Sequence, residues 1–241
     1  MTKRGRGAAP SYLAGDANDA CLVELDLLKC LLYGHCSVPF EKMKEHAAEK
    51  KEFARHGGMA RTAELRAAGI NHYRLQQLMA DGLVECVRRG YYQWIGESTP
   101  SDVRTLSRLF PDAVFCMHTA LFHYGYTDRT PDAWHLAVSK FSNRKRFCLR
   151  YPAVKPHFQT PSTLRLGVCR ETMDGISVHM HNRDRVICDC LRFRNSMDPE
   201  ILRKAVRAYV EDPHINIAQL LDYAQRLRCR QSVQNLIEPW L

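Results

Sequence analysis

GGMARTAELRAAGINHYRLQQLMADGLVECVRRGYYQWI, residues 57–95, carries two short helical patterns, a hairpin pattern and the punctuation between them. Ala63, Leu65 and Ala68 are expected to turn inward from a first short helix. Gly69 supplies the tight turn that two steeply crossed helices need. Asn71 caps the next helix, whose Leu75, Leu78 and Met79 recur at helical spacing and are expected in the core. That leaves His72, Tyr73, Arg74, Gln76 and Gln77 outside, with donors and acceptors suited to base edges and phosphates. No carboxylate stands between Asn71 and Ala80. A merely solvated face mixes both signs, so this one favours an anionic partner. Asp81-Gly82 ends the helix, and strands are expected over 83–88 and 91–95, with Arg88 and Arg89 at the tip of their hairpin. The order is that of a winged helix-turn-helix, a module for double-stranded DNA. The competing reading is a small helix-turn-helix used only for packing or dimerisation.

Working outward, residues 41–56 read as a charged first helix of the module, with Ala47, Phe53 and Ala54 toward the core and Gly57-Gly58 as its stop. Residues 1–18 read as disordered. An apolar helix is expected over 20–33, with Leu22, Leu25, Leu28 and Leu32 on one face and a need for some cover, a second copy included. On the other side, Gly96 to Pro100 reads as a boundary. Beyond it come a capped helix to Leu109, a strand over 113–116 and a helix over 118–124. β-like runs follow at 134–139, 147–149, 164–169 and 176–181, the last two joined by an Asp174-Gly175 turn. From Asp184 onward the pattern is helical, with further helices from Asp198-Pro199 to 209, over 217–227 and just before Pro239. The expected class is α+β in three parts: an extension over 1–40, the winged module over 41–96, and a mixed α/β domain with a helical C-terminal half over 97–241.

The chain has 241 residues, of which 45% are apolar and 25% charged, ordinary values for a globular protein with room for two cores. Its formal net charge is +9. Between residues 42 and 92 ten Lys/Arg face six Asp/Glu; between 140 and 194 twelve face four, so the second half is at least as basic. Without a cationic amphipathic helix for a membrane, nucleic acid is the simplest partner. No run approaches the roughly 20 apolar residues of a membrane span, and the basic start is not followed by a secretory apolar run. The ten cysteines are scattered and fit reduced thiols, so a cytoplasmic protein is expected.

Other constellations carry little chemistry. His179 and His181 would lie on one strand face, but no third ligand follows at zinc spacing, and Cys188 and Cys190 diverge on a helix. Cys30, His35 and Cys36 lack a fourth ligand. Asp128, Asp132 and Lys140 are too sparse for a metal-dependent nuclease. Nothing argues for an enzyme, a cofactor or a metal. The basic residues Lys140, Arg144, Lys145 and Arg146 read instead as a possible second surface for nucleic acid or an acidic partner.

In sequence the chain resembles the AbiEi-type antitoxins of type IV toxin–antitoxin systems, over residues 43–241. The likeness rests on Gly57-Gly58, Leu65 with Gly69-Ile70, Leu75 and Leu78 with Gly82-Leu83, and Arg89-Gly90-Tyr91-Tyr92. It continues through Pro111-Asp-Ala-Val114, His118-Thr-Ala-Leu121, His123-Tyr-Gly125, Thr130-Pro131 before Trp134, and Arg185-Val-Ile-Cys-Asp189. Residues 1–42 lie outside the pattern, and His118-Thr119 stands where a serine is expected. The resemblance implies an antitoxin that represses its own operon by binding promoter inverted repeats. It also implies a second domain counteracting a nucleotidyltransferase-like toxin without a stable complex. It adds Arg61 and Tyr91 to the DNA contacts His72, Tyr73, Arg74, Gln76, Gln77, Arg88 and Arg89, and a homodimer on DNA is compatible with it. Arg185 and Asp189 are expected to form a structural ion pair. The alternative is a stand-alone winged-helix regulator with a ligand-sensing second domain.

Overall fold

Three strands back the helix-turn-helix, one more than the hairpin pattern announces. The computed structural model describes residues 46–96 and 100–237; the apolar helix expected over 20–33 lies outside them. Helix α1 (Ala47–Arg55) leads into β1 (Met59–Arg61), α2 (Thr62–Ala67), α3 (His72–Ala80), β2 (Val84–Arg88) and β3 (Tyr91–Trp94). The sheet runs β1-β3-β2, antiparallel throughout. At three residues β1 is too short to show an alternation, but its register with β3 holds Met59 opposite Gln93 and Arg61 opposite Tyr91. Gly69 adopts φ +82°, a conformation that glycine takes without the Cβ clash other residues meet, and the chain turns there into α3. Asn71 Oδ1 accepts the Arg74 N–H at 2.8 Å and caps that helix.

Phe53, Leu65, Leu75, Leu78, Leu83 and Trp94 fill the centre of this module. Five inward expectations fail: Ala47, Ala54, Ala63 and Ala68 are exposed, and Met79 is 38% exposed. Helix α2 makes less than two turns and reaches the core through Leu65 alone. On α3, Leu75 and Leu78 take the inner stripe, while Met79 lies three residues from Gln76 and seven from His72, on the outer face.

The larger half holds α4 (Asp102–Leu109), β4 (Val114–Phe115), α5 (Met117–His123), β5 (Trp134–Ser139), β6 (Val154–Gln159), α6 (Pro161–Leu164), β7 (Val168–Met173), β8 (Ile176–His181), α7 (Arg183–Arg192), α8 (Pro199–Glu211), α9 (Ile217–Arg226) and α10 (Arg230–Leu236). Its mixed sheet has the order β6-β5-β4-β8-β7, with β5–β6 and β4–β8 parallel. Asp174 and Gly175 both take positive φ between β7 and β8, as a two-residue hairpin turn requires. Two β expectations need correction. The 147–149 run is replaced by a 3-10 turn at Arg144–Phe147, and the 164–169 run splits into α6 and a β7 that starts at Val168. Strand β6 runs against the sequence pattern, because Pro156 sits in its middle. A strand at the edge, hydrogen-bonded only to β5, tolerates that missing N–H.

Leu106, Leu109, Leu121, Leu136, Val138, Met180, Ile187 and Leu191 lie in the core of this half, and Met59 of β1 joins the same cluster. Arg108 of α4 donates to the His56 carbonyl and to Glu64, both at 2.6 Å. Contacts therefore cross residue 96, and from Ala48 onward the described residues form one compact unit.

Beneath the sheet Arg185 is fully buried. It donates to Asp189 at 3.0 Å, to Gln159 at 3.1 Å and to the Thr163 carbonyl at 2.9 Å. His181 Nδ1 lies 3.2 Å from the same Asp189 carboxylate. Burial works against the Asp189 charge, but His181 and Arg185 outweigh it and hold its carboxyl below the usual range. The guanidinium thus ties α7, α6 and the end of β6 together. Gly167 passes over it so closely that a Cβ there would stand 2.6 Å from the Arg185 Cβ.

Candidate nucleic-acid interface

The outer face of α3 is a ridge of His72, Tyr73, Gln76, Met79 and Ala80, with Tyr73 72% exposed. His72 and Gln76 contact each other at 3.2 Å, one turn apart. Arg74, expected beside them, is turned toward α1: its Nε donates to Glu49 at 2.7 Å, and its Nη1 donates to Gln77 at 3.3 Å. Its guanidinium is therefore committed to a carboxylate, and Gln77 is drawn to the half-buried flank. The sequence reading missed Met79 as an outer residue. The 72–76–79 spacing was the available signal, since these positions share one side of a 3.6-residue helix.

At the wing, Arg88 lies 4.9 Å and Arg61 5.3 Å from the centroid of the Tyr91 ring, both within cation–π range. The Thr62 N–H donates to the Gly90 carbonyl at 3.0 Å, fastening the hairpin turn to the start of α2. Arg61, Arg88 and Tyr91 are brought together in this way, with Arg89 exposed beside them. Glu64 Oε2 accepts the Arg61 N–H at 2.7 Å. Burial opposes the Glu64 charge, yet that hydrogen bond and the nearby Arg108, His56 and Arg61 charges keep its carboxyl below the ordinary value.

In the second basic segment the four cations differ. Lys140 lies 5.0 Å over the exposed Phe141 ring, Arg144 lies 4.7 Å over Phe158, and Lys145 is exposed. Arg146 instead grips Asp112 at 2.6 and 3.0 Å and pulls that carboxyl's pKa down. It is a strut for the loop.

Other residues singled out in the sequence do not converge. His179 is exposed whereas His181 is buried against Asp189. Asp128 pairs with Lys204, whereas Lys140 lies over the Phe141 ring. Among the described residues no group of three His, Cys, Asp or Glu is placed to hold a metal ion. What the sequence did not reveal is a pile of imidazoles. His118 and His135 stack at 4.7 Å with planes 7° apart, and His157 Nε2 sits 3.0 Å from His135 Nδ1. Burial, then the His118, His157 and Lys155 charges, push His135 down to about 3. Burial first, with Lys155, His118 and His181 behind it, takes His157 down to about 4 despite the opposing Asp189. The neutral rings are packing elements.

Residues 48–93 match a family model described as transcriptional regulator, AbiEi antitoxin. The N-terminal module is an AbiEi module. Its helix order and three-stranded sheet fit a winged helix-turn-helix. The AbiEi match stops at 93, before α4. Among curated proteins nothing matches. The crystal structure of the RV2827C protein from Mycobacterium tuberculosis is similar over 81% of this chain and 76% of that one, with TM-score 0.60 and 14% identity. That likeness is one of fold, and it extends well beyond the AbiEi module. No helix of the described residues is long and apolar enough to cross a membrane.

Proposed function

We propose that this chain is a DNA-binding antitoxin of the AbiEi type that represses its own operon. The observation that carries the reading is the α3 ridge, where His72, Tyr73 and Gln76 stand exposed on a helix without a carboxylate. In this reading the ridge enters the major groove of a promoter repeat, His72 and Gln76 contact base edges, and Met79 meets a thymine methyl. Arg61, Arg88, Arg89 and Tyr91 hold the flanking phosphates or minor groove. Two copies on an inverted repeat would place two such ridges on one face of the duplex. The larger half acts against a nucleotidyltransferase-like toxin, in the cytoplasm and without chemistry of its own.

Fluorescence anisotropy of the full chain against its own upstream promoter and a scrambled duplex, at two salt concentrations, tests the DNA half. Preference for the promoter with affinity falling as salt rises is the expected result. Gln76→Ala should relax discrimination at one base pair by about 1–3 kcal/mol. Arg89→Ala should weaken all duplexes alike and flatten the salt slope by about one unit. Equal and weak binding to both duplexes refutes the assignment. The antitoxin half is tested by co-expression with a neighbouring toxin. A full-length Gln76→Ala, Arg89→Ala chain should still rescue growth, because in this reading neutralisation lies elsewhere.

A second reading, a regulator whose larger half senses a ligand, is favoured by one feature: a basic cleft beside the module.

A further inference from the structure

Where the end of α1 meets α4 and β8 there is an open cavity of about 370 Å³, lined by Arg55, His56, Gly57, Arg104, Ser107, Arg108 and Ile176. Three guanidiniums and an imidazole converge there, and no lining residue is acidic. Nearby carboxylates satisfy only part of this charge. Glu52 accepts from Arg55 at 3.0 Å, and Glu64 accepts from Arg108 at 2.6 Å. Arg104 makes no ion pair with a described residue, and its side chain lies across Gly57, 3.2 Å from where a Cβ would stand. Gly57 has φ +68°, a conformation that disfavours any residue with a Cβ, and Arg104 packs directly on its backbone.

Two polar atoms of the lining residues are left over. Arg108 Nε and Ser107 Oγ are buried and have no hydrogen-bond partner. Buried donors without partners are uncommon and costly, and a bound group that reached these two would satisfy them. A fork of arginines with a serine hydroxyl matches the oxygens of a phosphate group. The volume falls at the lower end of the range for small-ligand sites, roughly 300–1,000 Å³, so it has room for more than the phosphate itself.

We infer that this cleft binds phosphate, as the phosphoryl group of a small phosphorylated ligand or of a nucleic-acid backbone. The group would bridge the last turn of α1 to α4 through Arg55, Arg104, Ser107 and Arg108. An occupant would thereby add a charged tie between the AbiEi module and the larger half, beside the one Arg108 makes to His56 and Glu64. This site does not depend on the DNA assignment of α3, since its residues lie outside that ridge.

The experiment is a calorimetric titration of the full chain with inorganic phosphate, chloride being varied to keep ionic strength constant. A saturable one-to-one isotherm is expected. Arg104→Gln should weaken it at least tenfold and Ser107→Ala about threefold, with the melting temperature of the Arg104→Gln chain unchanged because that side chain is exposed. Absence of saturation overturns the proposal, and so does an Arg104→Gln chain that binds phosphate as tightly as the parent. Repeating the titration on the promoter complex separates the sources. If duplex excludes phosphate and Arg104→Gln flattens the DNA salt slope by about one unit, the phosphoryl group is that of the backbone. If phosphate and duplex bind together, it is that of a free ligand.

Discussion

Acidification from pH 7 to pH 5 should remove a large share of the stability, and the imidazole pile is the reason. His135 and His157 stay neutral in the folded chain down to about 3 and about 4, against an ordinary histidine value of 6.5. Their folded values are depressed, so between those limits the unfolded chain binds more protons than the folded one. Stability is therefore full above pH 6.5, falls as pH falls, and levels only below the folded values. At pH 5 each ring is almost wholly protonated in the unfolded chain and mostly neutral in the folded one. Each then contributes a loss of about 2 kcal/mol relative to pH 7, or about 4 kcal/mol for the pair. Against a total of about 5–15 kcal/mol this is easily measured. Few carboxylates titrate in this window, so the histidines dominate it. Urea unfolding of the full chain at pH 7, 6 and 5, followed by tryptophan fluorescence, gives the slope directly. His157→Gln removes one titrating ring and should cut the loss by about half. A parent chain that loses under 1 kcal/mol between pH 7 and 5, or a His157→Gln chain with an undiminished loss, would refute the reasoning.

Packing and ion pairing set three further outcomes. Gly167→Ala should cost about 2–4 kcal/mol in chemical denaturation, because the new methyl meets the Arg185 Cβ at 2.6 Å and the backbone is at φ +69°. Asp189→Asn should cost about 3–5 kcal/mol, since it strips the charge that compensates the buried Arg185 guanidinium; a loss under 1 kcal/mol would mean the pair is not what holds α7 in place. Arg74→Ala should lower the melting temperature by loosening α3 from Glu49 while leaving promoter discrimination intact, which a parallel anisotropy titration against scrambled duplex would check.

The AbiEi module was legible because its helices and turns are local. Leu75 and Leu78 mark the inner stripe of α3, Asn71 its start and Asp81-Gly82 its end, all within a dozen residues. The same periodicity misassigned Met79, which a strict count of helical positions would have put beside Gln76. Strand β1 escaped because three residues cannot show alternation. Strand β6 escaped because Pro156 argues against a strand unless the strand is known to be an edge, and edges are set by partners far away in sequence. Of the candidate site, the outer residues His72, Tyr73 and Gln76 could be read from the chain. The capture of Arg74 by Glu49 and of Arg146 by Asp112 could not. Each depends on a carboxylate 25 or 34 residues away. The His118, His135 and His157 pile is likewise a product of topology, since the parallel pairing of β5 with β6 sets Ala137 opposite His157 and so brings His135 within reach.

Met59 has a role beyond its own strand. It is the first residue of β1, hydrogen-bonded into the small sheet, and its side chain is buried with the core of the larger half. The N-terminal head is thus riveted to the body through the strand at its back, so melting one should melt the other in a single cooperative transition. Swapping this head onto an unrelated body by cutting at residue 96 would leave a greasy socket on one fragment and a bare thioether on the other. Chimeras in this fold should be cut so that β1 travels with the surface that receives it.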